Sequence, residues 1–274
     1  MIILLFVNLF IDSLADNTFL RLFGGTNATQ GEFPHMISIQ DFFKRWPERI
    51  EPHLCGGSIL NTQWGLTAGH CIDNSRINTG QIRVVAGTFN LTYVSKDTQV
   101  TFLDFGIQHP KYKTYRQDYD VGVIHFKKPL FYNEYVQPVI LPELEDPILS
   151  SEAVLSGWGI ADVPMGFPRI LQRADMRIIP IAECFNALKN DTSLQAGIEI
   201  HFNICTKPLT PGPTICSRDS GSPLGRWEGS KFLQIGIATW TPYKDMCIQK
   251  DTPVMYARVA AYTDWIRENS VCTC

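Results

Sequence analysis

The chain has 274 residues and a formal net charge of −3, with 45% hydrophobic and 19% charged residues. This composition is ordinary for a globular protein with a large buried core, and it excludes extended disorder. The weak net charge provides no field suited to gripping phosphate backbones or anionic membranes. We therefore expect neither nucleic acid nor a membrane as a partner.

The N-terminus resembles a secretory signal peptide. Residues 1–11 are apolar apart from Asn8, and small residues follow at Ser13 and Ala15. The run is too short to cross a bilayer, since a spanning helix needs about 20 apolar residues. We predict cleavage after Ala15 and secretion, although no Lys or Arg precedes the run. The alternative is a buried N-terminal helix.

The eight cysteines agree with an oxidising compartment, in which they persist as disulfides. None lies in a close C-x-x-C pair with histidine ligands, so we expect no zinc site. Sequons for N-glycosylation, which should lie on the surface, occur at Asn27, Asn90 and Asn190.

Short apolar or alternating runs separated by Gly and Pro predict an all-β sandwich or barrel. These runs are Met36–Ile39, Ile82–Val85, Val121–Phe126, Val154–Leu155, Phe232–Ala238 and Val254–Val259. Two stretches favour helix, Ile181–Lys189 and Val259–Asn269, the second with Trp265 and Ile266 as docking residues. The segment from Pro138 to Pro147 has no apolar periodicity and is interpreted as a connection between two halves.

Two sequence blocks and the tripeptide at 118–120 carry the chemistry. His70 lies in the block at 67–71, Ser220 lies in the block at 216–223, and Asp120 precedes the apolar run at Val121. A serine hydroxyl becomes a strong nucleophile when an imidazole takes its proton, and a buried carboxylate fixes that imidazole's tautomer. His, Asp and Ser in this order supply the three parts.

With three further motifs, the chain resembles the chymotrypsin-like (trypsin-fold) secreted serine proteases from Leu22 to the last helix. Those motifs are Leu54–Ser58, Ser156–Gly159 and Gly236–Trp240. The resemblance implies an all-β fold of two six-stranded antiparallel barrels with the active-site cleft between them, and a C-terminal α-helix. It implies a protease domain at 22–274, with barrels at about 22–137 and 138–258 and the helix at about 259–270.

The same resemblance assigns roles to the catalytic residues. Ser220 is the nucleophile, His70 the general base and acid, and Asp120 the orienting carboxylate, with Asp118 as the alternative. Backbone N–H groups of Arg218 and Ser220 form the oxyanion hole. Arg218 replaces the family's glycine, and a positive φ there would add strain of about 1 kcal/mol. We expect its side chain over the leaving-group side, where it obstructs bulky inhibitors or favours acidic substrate residues.

The resemblance also implies a zymogen. Cleavage after Arg21 by a trypsin-like protease would remove an activation peptide at 16–21, and the new amino group of Leu22 would pair with Asp219. The alternative is that Arg21 is an unprocessed surface residue.

Disulfides are likewise assigned by resemblance: Cys55 with Cys71, Cys184 with Cys205, and Cys216 with Cys247. Another family disulfide is missing, because Ala153 and Arg226 occupy its two positions. Cys272 and Cys274 are too close for an unstrained bridge and are left for another chain or a small thiol. The protein is otherwise expected to be a monomer.

Substrate preference depends on a pocket whose contents again follow the resemblance. Thr214 forms the base, and Thr241 and Val254 form the walls. Because no carboxylate lies at the bottom of the pocket, substrates with Lys or Arg are disfavoured, and the β-branched wall residues narrow the pocket. An elastase-like preference for small residues is therefore the leading hypothesis, with a pocket for Leu or Met second and an occluded pocket third. The expected pocket residues are Thr214, Ile215, Thr239, Trp240, Thr241 and Val254.

Two loops receive weaker assignments. The loop from Gln40 to His53 looks extended, and its cations Lys44, Arg45 and Arg49 form either a solvated face or contacts with acidic substrate groups. The calcium loop of some relatives has Thr88 and Thr98 where carboxylates are needed, so we expect no metal and no cofactor.

Three functions are weighed. The first is a secreted serine endopeptidase acting through an acyl-enzyme on protein or peptide substrates, with protein protease inhibitors as further partners. The second is a catalytically impaired homologue that acts as a binding protein. The third, a lipase or esterase, lacks the expected G-x-S-x-G elbow, since Arg218 and Asp219 precede Ser220.

Overall fold

The computed structural model describes residues 25–42, 53–113, 118–144, 147, 151–159, 169–187, 200–210, 218–240 and 253–272. Strands dominate this part of the chain. They are β1 Thr26–Asn27, β2 Met36–Asp41, β3 His53–Ile59, β4 Trp64–Thr67, β5 Ile82–Ala86, β6 Gln99–Gln108, β7 Gly122–Phe126, β8 Glu152–Gly157, β9 Gln172–Ile179, β10 Asn203–Pro208, β11 Pro223–Glu228, β12 Lys231–Trp240 and β13 Val254–Arg258.

The strands close into two antiparallel barrels. The first has the order β2-β3-β4-β7-β6-β5. In the second, β8-β9-β10-β13-β12-β11 closes because β11 pairs with β8, and β1 adds to β9 from outside. Closure removes exposed sheet edges. The prediction of two six-stranded barrels is confirmed.

Each predicted apolar run overlaps a strand, although Val121 precedes β7 and Val259 lies in the 3₁₀ turn after β13. Strand β2 differs from simple alternation, because all six of its residues are buried. Ile37 and Ile39 belong to the core of the first barrel. Ser38 and Gln40, on the other face, are also buried, and their side chains form hydrogen bonds with residues of neighbouring strands.

Three α-helices occur among the described residues: α1 Asn74–Asn78, α2 Ile181–Ala187 and α3 Thr263–Asn269. Helix α1 was not predicted; it has five residues, and its N-cap Asp73 accepts from the backbone N–H groups of Ser75 and Arg76. The predicted last helix is interrupted, since a 3₁₀ turn at Val259–Ala261 precedes α3. Ile266 is fully buried as expected. No described helix has the length and apolar character needed to span a membrane.

The segment that connects the barrels forms backbone hydrogen bonds with both of them. The Val139 N–H donates to the Ile59 carbonyl and the Ile140 N–H donates to the Phe232 carbonyl, each at 2.9 Å. These bonds agree with the interpretation of this segment as a connection, while the exact domain boundaries stay predictions.

Two of the expected disulfides form, Cys55 with Cys71 and Cys184 with Cys205. Cys216 and Cys247 lie outside the described residues. Cys272 is disulfide-bonded too, and its partner lies outside the described residues. The expectation that Cys272 awaits another chain or a small thiol is therefore wrong, because the bond is made within this chain.

Candidate active site

His70 and Asp120 meet at one end of the first barrel. His70 lies in a 3₁₀ turn, Gly69–Cys71, directly after β4, and Asp120 lies just before β7. These strands pair antiparallel, with Thr67 opposite Gly122, so the turn and the carboxylate come together. The Asp120 carboxylate accepts from the His70 backbone N–H at 2.8 Å and contacts His70 Nδ1 at 2.7 Å.

The geometry fixes the tautomer of the imidazole. An ionised carboxylate only accepts hydrogen bonds, so Nδ1 carries the proton and Nε2 is left with a lone pair. Burial lowers the pKa of His70, but the charge and hydrogen bond of Asp120 outweigh it and leave that pKa above its ordinary value. The ring is therefore a basic acceptor held in one orientation.

Asp118, the alternative carboxylate, does not make these contacts. It is buried two residues before Asp120, on the other side of Tyr119. Tyr119 has φ of 61°, and its N–H donates to Tyr262 Oη at 3.1 Å. This left-handed residue turns the chain between the two aspartates, and both hydrogen bonds to His70 belong to Asp120.

The loop with Ser220 docks on the first barrel beside this pair. The Gly56 N–H donates to the Ser220 carbonyl at 2.8 Å. Gly56 must lack a side chain, because a Cβ there would collide with Ser222 Oγ. Its neighbour Cys55 is bridged to Cys71, and both sulfurs lie within 4.8 Å of a His70 ring nitrogen.

Ser220 is thus docked on a strand whose neighbouring disulfide lies beside the His70 ring. Among the described residues, no hydrogen bond joins Ser220 Oγ to His70 Nε2. Such bonds are often long in a resting enzyme and tighten when substrate binds. Because both sulfurs are consumed by the disulfide, this cluster offers no thiolate to a metal.

Arg218 has a left-handed backbone conformation. Its φ is 79°, in the left-handed region that costs a non-glycine residue about 1–2 kcal/mol. His53 Nε2 lies 3.0 Å from the Arg218 carbonyl, and Arg218 Nη1 donates to the His53 carbonyl at 3.1 Å. The two expected oxyanion residues, Arg218 and Ser220, therefore belong to a loop fixed from the first barrel.

Comparison with known proteins agrees with this geometry. The family model described as Trypsin matches residues 22–266. The chain belongs to the trypsin family of serine proteases. This membership confirms the predicted family and agrees with the two-barrel fold.

Three relatives illustrate the match. The fibrinolytic enzyme, isozyme C, of Lumbricus rubellus is 32% identical over 253 residues, covering 90% of this chain and 99% of that protein. Serine proteinase stubble of Drosophila melanogaster is 29% identical and coagulation factor XI of Bos taurus 28%, each covering 91% of this chain. The chain spans only 31% and 38% of those two proteins.

The expected activation residues are described in part. Asp219 is completely buried, and its Oδ1 accepts from the Gly159 N–H at 2.9 Å. Gly157 packs against the same carboxylate. Arg21 and Leu22 lie outside the described residues.

The expected specificity pocket is also described in part. Val254 opens β13 and is fully buried, and Thr239 lies near the end of β12 with 6% exposure. The pairing of β12 with β13 shifts register between Ala238 and Trp240, so Thr239 occupies an irregularity. Its Oγ1 is buried without a hydrogen bond to any described residue. Trp240 is the last residue of β12, and the remaining three pocket residues, Thr214, Ile215 and Thr241, lie outside the described residues.

The view of Gln40 to His53 as one extended loop is wrong at both ends. Gln40 lies within β2 and His53 opens β3, and both are buried. Sequence reasoning missed them because a polar residue in a strand usually faces solvent. The cations Lys44, Arg45 and Arg49 lie outside the described residues.

The predicted glycosylation sites differ in exposure. Asn27 is exposed in β1, and Asn90 is half-buried. The Asn90 side chain accepts from both the N–H and the hydroxyl of Thr92, the third residue of its sequon. Asn190 lies outside the described residues.

Proposed function

We propose that the chain is a secreted serine endopeptidase that hydrolyses protein or peptide substrates through an acyl-enzyme. The observation that carries the proposal is the double contact between Asp120 and His70, next to a docked loop bearing Ser220. The apolar N-terminus and the disulfides support secretion.

The chemistry follows from the tautomer. His70 Nε2 takes the proton of Ser220 Oγ as the oxygen attacks the substrate carbonyl carbon. The Arg218 and Ser220 N–H groups stabilise the resulting oxyanion. His70 then gives its proton to the departing amine, and a water molecule activated by the same nitrogen hydrolyses the ester. Asp120 stabilises the imidazolium in both steps.

The proposed enzyme is made as a zymogen. A trypsin-like protease would cleave after Arg21, and the amino group of Leu22 would then pair with Asp219. The complete burial of that carboxylate supports this assignment, because a buried charge is costly unless it is compensated.

Substrate preference is proposed to be elastase-like. The proposal rests on the β-branched Val254 at an expected wall position, and this residue is fully buried against the core of the second barrel. A pocket for Leu or Met is the second possibility. A peptide-library profile dominated by Arg or Lys would contradict both.

A second candidate function is an impaired homologue that binds proteins. The left-handed Arg218 favours it, since strain at this position weakens the oxyanion hole if the loop relaxes. The same residue raises the hypothesis that Arg218 obstructs protein inhibitors or selects acidic leaving-group residues. Arg218→Gly with unchanged turnover and inhibitor affinity would refute that hypothesis.

One experiment separates the two functions. The purified chain is cleaved after Arg21, treated with an organophosphorus serine reagent and analysed by peptide mapping, with Ser220→Ala as the control. An endopeptidase incorporates one label at Ser220 and then yields a cleavage profile from a peptide library. A binding protein incorporates none.

A further inference from the structure

Arg218 and His53 hold each other by an exchange of hydrogen bonds, although they are 165 positions apart. The His53 ring bonds to the Arg218 carbonyl at 3.0 Å, and the Arg218 guanidinium donates to the His53 carbonyl at 3.1 Å. One partner belongs to the loop before β11 and the other opens β3. We call this reciprocal pair the clasp.

The donors and acceptors behind the clasp can be assigned without ambiguity. The Arg218 carbonyl only accepts, so His53 Nε2 carries a proton and Nδ1 accepts from Ser38 Oγ at 2.7 Å. Ser38 Oγ in turn accepts from Gln40 Nε2 at 3.0 Å. Gln40 Oε1 accepts from Arg83 Nε at 3.0 Å. Every bond therefore has the same polarity from Arg83 to the loop.

The protonation state of His53 agrees with this polarity. His53 is buried, and burial lowers its pKa to about 4. The ring is consequently neutral at neutral pH, with one donor nitrogen and one acceptor nitrogen, as the relay requires.

The bonded carbonyl lies between the two proposed oxyanion donors. It belongs to the peptide joining Arg218 to Asp219, so the N–H of Arg218 precedes it and the N–H of Ser220 follows it. Because only the φ and ψ torsions of Arg218 separate its carbonyl from its N–H, and φ is held at 79°, restraining the carbonyl also restrains the direction of the N–H. We propose that the Arg218 guanidinium is a positioning group for the oxyanion hole, which closes the clasp on His53 and holds the loop in its left-handed conformation.

This proposal rests on the proposed oxyanion role of Arg218. The simplest expectation is that an arginine in place of glycine only adds backbone strain, and the proposal reverses it. A glycine would adopt the same φ without strain, yet it would lose one of the two bonds of the clasp. The side chain would therefore compensate for the conformation that its own Cβ disfavours.

The test measures Arg218→Met, which keeps an unbranched side chain but removes the donor, in protein activated by cleavage after Arg21. The substrate is a short acyl-peptide thiobenzyl ester, whose leaving group contains no amino acid. We expect kcat to fall about 10-fold with KM changed less than 2-fold. The inhibition constant of a peptide boronate, whose tetrahedral adduct uses the oxyanion hole, should rise by a similar factor.

Three further variants complete the test. Arg218→Lys retains one donor and should lose about 3-fold in kcat. Gln40→Leu breaks the relay away from the cleft and should lower kcat about 2- to 4-fold. Arg226→Met is the matched control, since Arg226 pairs with Glu228 in β11, and it should change kcat less than 1.5-fold.

The outcomes are distinguishable. If the activated parent is not phosphonylated at Ser220, the proposed function fails and the clasp falls with it. If Ser220 is labelled but Arg218→Met and Gln40→Leu keep full kcat and boronate affinity, only the clasp is overturned. A loss confined to substrates with acidic leaving-group residues would also overturn it, because Arg218 would then act by contacting substrate.

Discussion

The two halves of the site are held by different kinds of contact. On the first barrel, His70 and Asp120 are joined by two short hydrogen bonds at the ends of paired strands. On the second barrel, Ser220 lies in a loop with left-handed backbone at Arg218 and Gly221, and that loop depends on Gly56 of the first barrel.

The two halves of the site therefore depend on different parts of the molecule. His70 and Asp120 are positioned mainly by strand pairing within one barrel, and the turn before Asp120 is also held by the Tyr119 N–H bond to Tyr262 Oη. Ser220, the proposed nucleophile, and the proposed oxyanion donors are positioned by contacts made across the barrels. Changes at the barrel contact should therefore impair Ser220 and leave the His70–Asp120 pair intact.

The largest effect is expected from breaking the first half directly. Asp120→Asn should lower kcat about 10⁴-fold, because an amide no longer enforces the tautomer that leaves Nε2 free to accept. Asp118→Asn is the matched control and should cost less than 10-fold, since Asp118 makes neither bond to His70. Steady-state kinetics on a peptide substrate measure both, and the reverse ranking would exchange the roles of the two aspartates.

Removing the disulfide beside His70 should have the next largest effect. The Cys55→Ser, Cys71→Ser double variant opens a loop of sequence separation 16 and should lose about 3 kcal/mol of unfolding free energy. The double variant at Cys184 and Cys205, with separation 21, should lose a similar amount.

Activity distinguishes these two disulfides. Only the first pair adjoins His70 and Gly56, so its loss should lower kcat of the folded fraction more than loss of the second pair does. Urea unfolding gives the stabilities, and titration of active sites corrects the kinetics for folded protein. Equal kcat in both double variants would contradict the link between Cys55, Gly56 and the site.

A substitution beside the nucleophile tests the second half. Gly221 has φ of 83°, and a Cβ there would collide with Thr67 Oγ1 and the Gly56 carbonyl. Gly221→Ala should therefore cost about 2–4 kcal/mol, from strain and displacement together. At Gly229, φ is 62° but nothing lies within 4 Å, so Gly229→Ala should cost only about 1 kcal/mol. Similar losses in urea unfolding would mean that the approach of the two barrels is not tight.

The smallest effect concerns a buried histidine that contrasts with His70. His35 is completely buried, stacks on Phe232 at 4.0 Å, and its ring nitrogens make no hydrogen bond to a described residue. Burial lowers its pKa to about 3. The unfolded chain, with an ordinary histidine pKa of 6.5, therefore binds the proton first, and stability present above pH 6.5 is lost as the pH falls toward 3.

When the pH falls from 6.5 to 5, protonation of His35 in the unfolded chain should lower the free energy of unfolding by about 1.5 kcal/mol. His35→Phe, which keeps an aromatic ring, should reduce the acid-induced loss by that amount relative to the parent. Urea unfolding at both pH values measures the difference. An unchanged loss would show that His35 is protonated in the folded state.

What the sequence predicts well is what depends on short-range pattern. Runs such as Ile82–Val85 are strands because alternate residues enter one barrel core. The short helix α1 was missed because its signal is a cap, Asp73, without a long apolar stripe. Barrel closure depends on distant pairings, such as β8 with β11, and was accessible only through family resemblance.

The site divides in the same way. His70, Asp120 and Ser220 stand in recognisable motifs, whereas Ser38, Gln40 and His53 do not. On a strand buried on both faces, a polar residue is indistinguishable by pattern from one that faces solvent. The proposed relay through Gln40, Ser38 and His53 is recognised only when the loop containing Arg218, which is distant in sequence, lies against β3.

The most direct test of the account is the rate at which Ser220 is phosphonylated as a function of pH. Because Asp120 raises the pKa of His70, the rate in the activated protein should rise with pH through a midpoint above 6.5. Asp120→Asn should slow labelling by about 10⁴-fold at pH 8. Labelling of another serine, or an equal rate in Asp120→Asn, would contradict the claim that His70 and Asp120 activate Ser220.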